Sequence, residues 1–321
     1  MSDVTQLPPD GLDMPRFSGI ATFMRLPHVS DFSGYDIGII GIPWDAGVTN
    51  RPGTRHGPRQ LRDMSSLIRR YNGATWVAPF DDCRIADFGD VKINPVDMAV
   101  TMERVSDFIS SVRQAGVMPM VAGGDHMISL PVLRGLVSGR GPVGMVHFDA
   151  HMDVNDSYFG GSKLTHGTPF RRAIEEGLLD PKRVVQIGIR GSRYDRSDEE
   201  YAREVGIRVI TIEEYYDLGI KQVIAEIHRV TGQGETYVTF DIDALDPCYA
   251  PGTGTPEVGG YTPFDAQVMI RSLGDLNLIG ADLVEVSPPF DQSGNTAIVG
   301  VNLMFELICV LSQARCRQQN R

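Results

Sequence analysis

Short apolar runs alternate along the chain with longer stretches whose apolar residues recur every three or four positions. The short runs predict buried strands at Asp36–Pro43, Arg84–Gly89, Val117–Ala122, Val184–Ile189, Ile207–Ile212, Tyr237–Asp243 and Leu278–Val286. One more begins at Val143 and carries Met145, Val146, Phe148 and Ala150. The helical spacing predicts helices from Pro58 to about Arg70, from an Asn94-Pro95 start to a Gly116 stop, and over 127–137. Further helices are expected at Phe170–Leu179, between Ile189 and Ile207, at Ile220–Val230, at Thr262–Leu273, and from Ser293 to about Leu311. Strand and helix alternate about eight times without a break in composition. Continuously apolar strands separated by helices imply a parallel sheet covered on both faces, with a TIM barrel as the competing architecture. Residues 1–34 lack this periodicity and are read as an N-terminal arm packed on a neighbouring subunit, leaving 35–321 as a single domain.

Composition narrows the range of partners. With 30 Lys and Arg against 41 Asp and Glu the net charge is -11, which argues against nucleic acid or an anionic membrane surface as a partner. No apolar run approaches the ~20 residues that span a bilayer. The four cysteines (Cys83, Cys248, Cys309, Cys316) show no C-x-x-C pattern and read as reduced thiols. A cytoplasmic protein is expected.

The polar residues gather at strand ends, where open parallel sheets bind ligands. Val146–Asp153 reads V-H-F-D-A-H-M-D, and in an extended chain Asp149, His151 and Asp153 would share one side. Val117–Ala122 is followed by Gly123-Gly124-Asp125-His126, and Tyr237–Asp243 ends with Asp241 and Asp243. His126, Asp149, His151, Asp153, Asp241 and Asp243 are more donors than one zinc takes, and they suit two divalent ions with manganese favoured by the oxygen-rich set. Ions paired in this way acidify a water from a pKa of ~15.7 towards neutrality.

These residues resemble the ureohydrolases, the arginase–agmatinase family. The resemblance is carried by Gly123-Gly124-Asp125-His126, by Asp149-Ala150-His151-Met152-Asp153 and by Phe240-Asp241-Ile242-Asp243-Ala244-Leu245-Asp246-Pro247, and it extends from about Gly38 to the C-terminal helix. It implies a three-layer α/β/α sandwich around an eight-stranded parallel sheet, and two Mn2+ per subunit that hydrolyse a guanidinium to urea and an amine. His126, Asp149, Asp153 and Asp241 would hold one ion, and His151, Asp149, Asp241 and Asp243 the other. By the same resemblance Glu285 would bind the guanidinium and His166 would pass a proton to the departing amine, beside Asp153. A trimer or hexamer is implied, with the N-terminal arm and the C-terminal helix bearing Cys309 and Cys316 as contact surfaces.

The substrate tail is read from the loop Asn155–Leu164, which departs from the arginase pattern. With Pro43-Trp44-Asp45 and Ser287-Pro288-Pro289-Phe290 it is closer to the agmatinase-like branch, which includes enzymes of agmatine and of 3-guanidinopropionate and 4-guanidinobutyrate. Tyr158, with Asn155 beside it, is expected to shorten the pocket and offer a hydroxyl to a carboxylate, favouring a guanidino acid. Lys163 and Arg193 are candidate carboxylate partners, although each also reads as a solvated surface charge. Agmatine hydrolysis, formiminoglutamate hydrolysis and a catalytically silent relative are the alternatives.

Overall fold

The computed structural model describes residues 7–319. Eight strands form one sheet: β1 (Ile37–Ile42), β2 (Ile85–Asp90), β3 (Met118–Gly123), β4 (Val143–Phe148), β5 (Leu179–Ile189), β6 (Arg208–Thr211), β7 (Glu235–Asp241) and β8 (Asn277–Val284). All neighbours are parallel, in the order β2-β1-β3-β8-β7-β4-β5-β6, so the sheet is open and the barrel alternative falls. The helices are α1 (Gly57–Met64), α2 (Pro79–Asp82), α3 (Met98–Gln114), α4 (Ser129–Val137), α5 (Pro169–Glu175), α6 (Ser197–Val205), α7 (Ile212–Leu218), α8 (Ile220–Thr231), α9 (Pro263–Arg271) and α10 (Asn295–Gln319).

Two apolar layers sandwich the sheet. Alternation along β1 sends Ile37 and Ile39 into the layer built with α1, α2 and α7–α10, while Ile40 and Ile42 enter the layer built with α3–α6. Because both faces are covered, the strands are mostly apolar on both sides, as the sequence predicts, with a few buried polar residues among them. Residues Phe23, Met24 and Leu26 of the expected arm are buried in the first of these layers, on the chain's own core.

Several boundaries move for local reasons. The cap of α3 is Asp97, whose side chain accepts the Val100 N–H at 3.0 Å, so Asn94-Pro95 lies in the turn before the helix. Helix α5 stops at Glu175 and β5 already begins at Leu179. The Thr211 hydroxyl caps α7, a helix the sequence pattern missed between β6 and α8. α10 extends to Gln319 and has a mean hydropathy of 1.8 over its most apolar window, so one helix does reach membrane-spanning length. It is the central helix of its layer, 78% buried over that window, and Cys309 is inside it rather than on a contact surface. Its one buried acid, Glu306, is paired with Arg271 and accepts from Asn72 at 2.7 Å.

The crevice lies where the chain leaves the sheet in two directions. After β3 it turns into α4 in one layer, and after the adjacent β8 into α10 in the other. Gly124 occupies the gap between strand ends, donating to the Ile42 carbonyl at 3.0 Å and accepting from Glu285 N at 2.9 Å. A Cβ there would stand 2.1 Å from the Trp44 oxygen and 2.7 Å from that of Ile42, both backbone atoms. Gly124→Ala should therefore destabilise the fold by the upper part of about 1–3 kcal/mol. A denaturant midpoint equal to that of the parent protein would refute this.

Candidate metal centre and its cavity

β4 ends at Phe148, so Asp149, His151 and Asp153 are not aligned by strand alternation. The chain turns instead, and its own carboxylates accept the freed amides: Asp149 Oδ1 from His151 N at 2.6 Å, Asp243 Oδ1 from Ala150 N at 3.2 Å. Asp153 completes the turn with φ at 52°. β7 likewise ends at Asp241, whose Oδ1 accepts the Asp243 N–H at 2.8 Å as the chain enters a 3-10 turn. The three expected segments converge, but by loop geometry.

His126 Nδ1 faces Asp153 Oδ2 at 2.9 Å, Asp149 Oδ2 at 3.1 Å and Asp241 Oδ2 at 3.3 Å, yet this buried nitrogen makes no hydrogen bond. Its other nitrogen explains why. Thr239 Oγ1 donates to Asp282 Oδ1 at 2.5 Å and so accepts from His126 Nε2 at 2.8 Å, which makes Nδ1 the lone-pair nitrogen whenever the ring is neutral. A lone pair converging with three carboxylate oxygens calls for a cation, and that is the fit expected of a metal site. A second cluster joins His151 Nδ1 to Asp243 Oδ2 at 3.1 Å and Asp149 Oδ1 at 3.4 Å. Asp149 thus gives one oxygen to each cluster, as the expected bridge requires. Asp241 stands with His126, and its other oxygen receives the Asp243 amide.

The charge state is uneasy without a cation. Burial, then the Asp243 and Asp149 carboxylates, raise Asp241 well above its ordinary range. Burial works to lower His126, but Asp149, Asp153 and Asp241 outweigh it and raise it well above normal; His151 is raised likewise by Asp243 and Asp149. The metal-free centre therefore holds protons that ligation must displace. Calorimetry of Mn2+ binding at pH 7, in buffers of different ionisation enthalpy, should report release of about one or more protons per chain. Release of none would refute it.

Glu285 follows β8 with φ at 63° and is buried. Its Oε1 accepts His126 N at 2.9 Å and faces His166 Nδ1 at 2.8 Å, while Oε2 is buried without a partner. His166 Nε2 lies 3.1 Å from Thr49 N and 2.8 Å from Thr49 Oγ1. The Thr49 amide favours a neutral ring with its proton on Nδ1. Burial also disfavours the cation, but Glu285 prevails and lifts His166 to about 9 in the metal-free chain. The sign follows: this stabilisation is complete below about pH 6.5 and is lost as pH rises through about 9. In metal-free protein the His166 ring resonance should titrate near pH 9, and Glu285→Gln should bring it down. An unchanged midpoint in that variant would sink the assignment.

The centre opens into a cavity of about 480 Å³ whose lining includes Asp153, Asp241, His151, His166, Asn155 and Tyr158. Tyr158 stands over the Gly167 backbone, but its hydroxyl donates to Asn155 Oδ1 at 2.7 Å, and Asn155 Nδ2 donates to Asp198 Oδ2 at 2.7 Å. The expected hydroxyl donor and the Asn155 amide are thus committed to the wall. Lys163 is exposed and absent from the lining. Arg193 lines the cavity but is paired with Glu199 at 2.8 Å. Arg51, which the sequence reading left in a loop, also lines it; its guanidinium lies 4.2 Å over the Phe290 ring and holds the Thr253 and Gly254 carbonyls. Also missed were Thr239, Asp282, Gln186 and His147; a polar residue inside a buried strand was the signal for each.

Metal-assisted hydrolysis is the class of chemistry that this crevice and these candidate ligand clusters fit. The chain belongs to the arginase family, whose profile matches residues 35–309. It is 54% identical to a guanidinopropionase of Pseudomonas aeruginosa over 99% of each chain, and 48% identical to a guanidinobutyrase of the same organism over 95% of this chain and 96% of that one. The solved proclavaminate amidinohydrolase of Streptomyces clavuligerus superposes with a TM-score of 0.90 at 39% identity, covering 94% of this chain and all of that one.

Proposed function

We propose that this chain hydrolyses a short guanidino acid, 3-guanidinopropionate or 4-guanidinobutyrate, to urea and the corresponding amino acid. The observation that carries the reading is Glu285 Oε2: a buried carboxylate oxygen without a partner, next to the ligand clusters. Such an oxygen needs a cationic hydrogen-bond donor, and a guanidinium supplies one. The names of the two Pseudomonas relatives support the acid tail. His126, Asp149, Asp153 and Asp241 would hold one Mn2+, and His151, Asp149, Asp241 and Asp243 a second. When bound, such ions would supply an acidified water as the nucleophile for the guanidinium carbon.

The chain's own groups then have defined tasks. Glu285 orients the guanidinium, and its link to His126 N ties that orientation to the metal ligands. His166 carries a proton beside Glu285 and delivers it to the departing nitrogen, which cannot leave as an amide anion. Tyr158 limits tail length by its bulk, and Arg51 and Arg193 are the cavity cations that a substrate carboxylate can meet. One observation favours the agmatine alternative: Asp198 lines the same cavity, and its Oδ1 is buried without a partner. An ammonium tail would suit it. The exposed Leu12, Phe17, Ile20 and Trp76 offer apolar surface to a homo-oligomer, trimer or hexamer, and the four free thiols fit a cytoplasmic setting.

Urea release by the Mn2+-loaded protein from 3-guanidinopropionate, 4-guanidinobutyrate, agmatine and arginine, side by side, should be greatest for a guanidino acid. Greatest release from agmatine would assign the tail to Asp198, and no urea from any of the four would overturn the reading. Tyr158→Ala should shift preference towards the longer acid by about tenfold, a methylene or two in a pocket being worth ~1–3 kcal/mol. Tyr158→Phe should change KM by less than about threefold, since the hydroxyl proton is held by Asn155. A large loss in that variant would restore the hydroxyl as a substrate ligand.

A further inference from the structure

His147 is fully buried on β4, two residues before Asp149 and in register with Gln186 of β5. The Phe170 ring flanks it at 4.5 Å and the His126 ring at 5.2 Å. Composition of the cluster would allow it as a seventh metal ligand, since one of its nitrogens lies close to a ring nitrogen of His126 and carboxylate oxygens of Asp149 and Asp153. The hydrogen bonds exclude that role. Gln186 Nε2 donates to the Met152 carbonyl at 2.6 Å, and a carbonyl only accepts, so the amide cannot be reversed. The same Nε2 lies 3.0 Å from His147 Nδ1, which must then be the acceptor. The ring proton is therefore on Nε2, and it is given to Asp149 Oδ2 at 2.7 Å. A nitrogen that carries a proton does not ligate.

We propose that His147 and Gln186 form a positioning relay that sets the rotation of Asp149, and through it the affinity of both metal positions at once. The proposal rests on the reading that the two clusters hold divalent ions. Asp149 presents Oδ2 to His126 and Oδ1 to His151, so a small rotation misplaces a ligand in each cluster. The Thr239–Asp282 pair differs in reach. It holds the tautomer of His126 alone, with Asp282 Oδ2 accepting from Ser129 at 2.6 Å and Tyr237 at 2.7 Å. One relay serves the shared carboxylate and the other serves a single cluster.

The test is an Mn2+ titration followed by EPR and calorimetry on the full chain and on His147→Phe, Gln186→Leu and Thr239→Val. His147→Phe should weaken both ions by about 10–100-fold, the usual cost of losing an outer-sphere partner. Gln186→Leu, which frees the tautomer while keeping the ring, should repeat the two-ion pattern more mildly. Thr239→Val should weaken one ion and leave the other near its parent value. In the metal-free parent, 15N shifts of His147 should show Nε2 protonated and Nδ1 bare. Parent affinity for both ions in His147→Phe and in Gln186→Leu would overturn the relay, as would hyperfine coupling of His147 directly to Mn2+. Failure of the parent protein to bind Mn2+ would instead overturn the metal reading on which the relay stands.

Discussion

Mutual repulsion among four buried aspartates is the constraint to which the molecule is built. Asp149, Asp153, Asp241 and Asp243 come together buried at the base of the cavity, where like charges repel strongly and desolvation adds to the cost. Three imidazoles (His126, His147 and His151) and several backbone amides offset part of that cost, and Asp241 is still driven towards its protonated form. Bound metal cations would remove the conflict. The folded chain thus stores a demand for cations, and that demand places the chemistry at the central crevice.

Holding these groups requires backbone that ordinary strands cannot provide. Asp153 and Glu285 are both non-glycine residues at positive φ, conformations that cost about 1–3 kcal/mol each and persist only when their surroundings enforce them. Gly124 closes the gap between the ends of β1, β3 and β8, and it ties Glu285 to the same rim as His126. Behind the rim, buried polar residues inside apolar strands set proton positions: Thr239 and Asp282 for His126, Gln186 and His147 for Asp149. Of the candidate ligands, His151, Asp153 and Asp241 line the cavity, whereas the groups that fix the His126 tautomer and the Asp149 rotation lie inside the sheet.

The cavity is acid-rich, with Asp153, Asp198 and Asp241 on its walls and Arg51 and Arg193 as its cations. That balance suits a guanidinium head, and it makes tail recognition a matter of where the few cations stand. The overall charge of -11 has no bearing on it, because salt screens charges beyond about 10 Å.

By itself the sequence determined the alternation of buried strands and helices, hence a covered parallel sheet, and it marked six candidate ligand residues by their types and spacing, which the fold brings together. Periodicity is a local property and needs no partner to be seen. What it could not determine was how those residues meet. The even spacing of Asp149, His151 and Asp153 pointed to one face of a strand, yet β4 ends first and side chains satisfy the loop amides. Tyr158 read as a hydroxyl donor until Asn155, itself held by Asp198 43 residues away, claimed its proton. His147 lay within the quoted motif without a role, because its tautomer depends on Gln186 in the next strand. Proton positions and ligand geometry are set by partners distant in the chain, and only the tertiary structure brings those partners within hydrogen-bond reach.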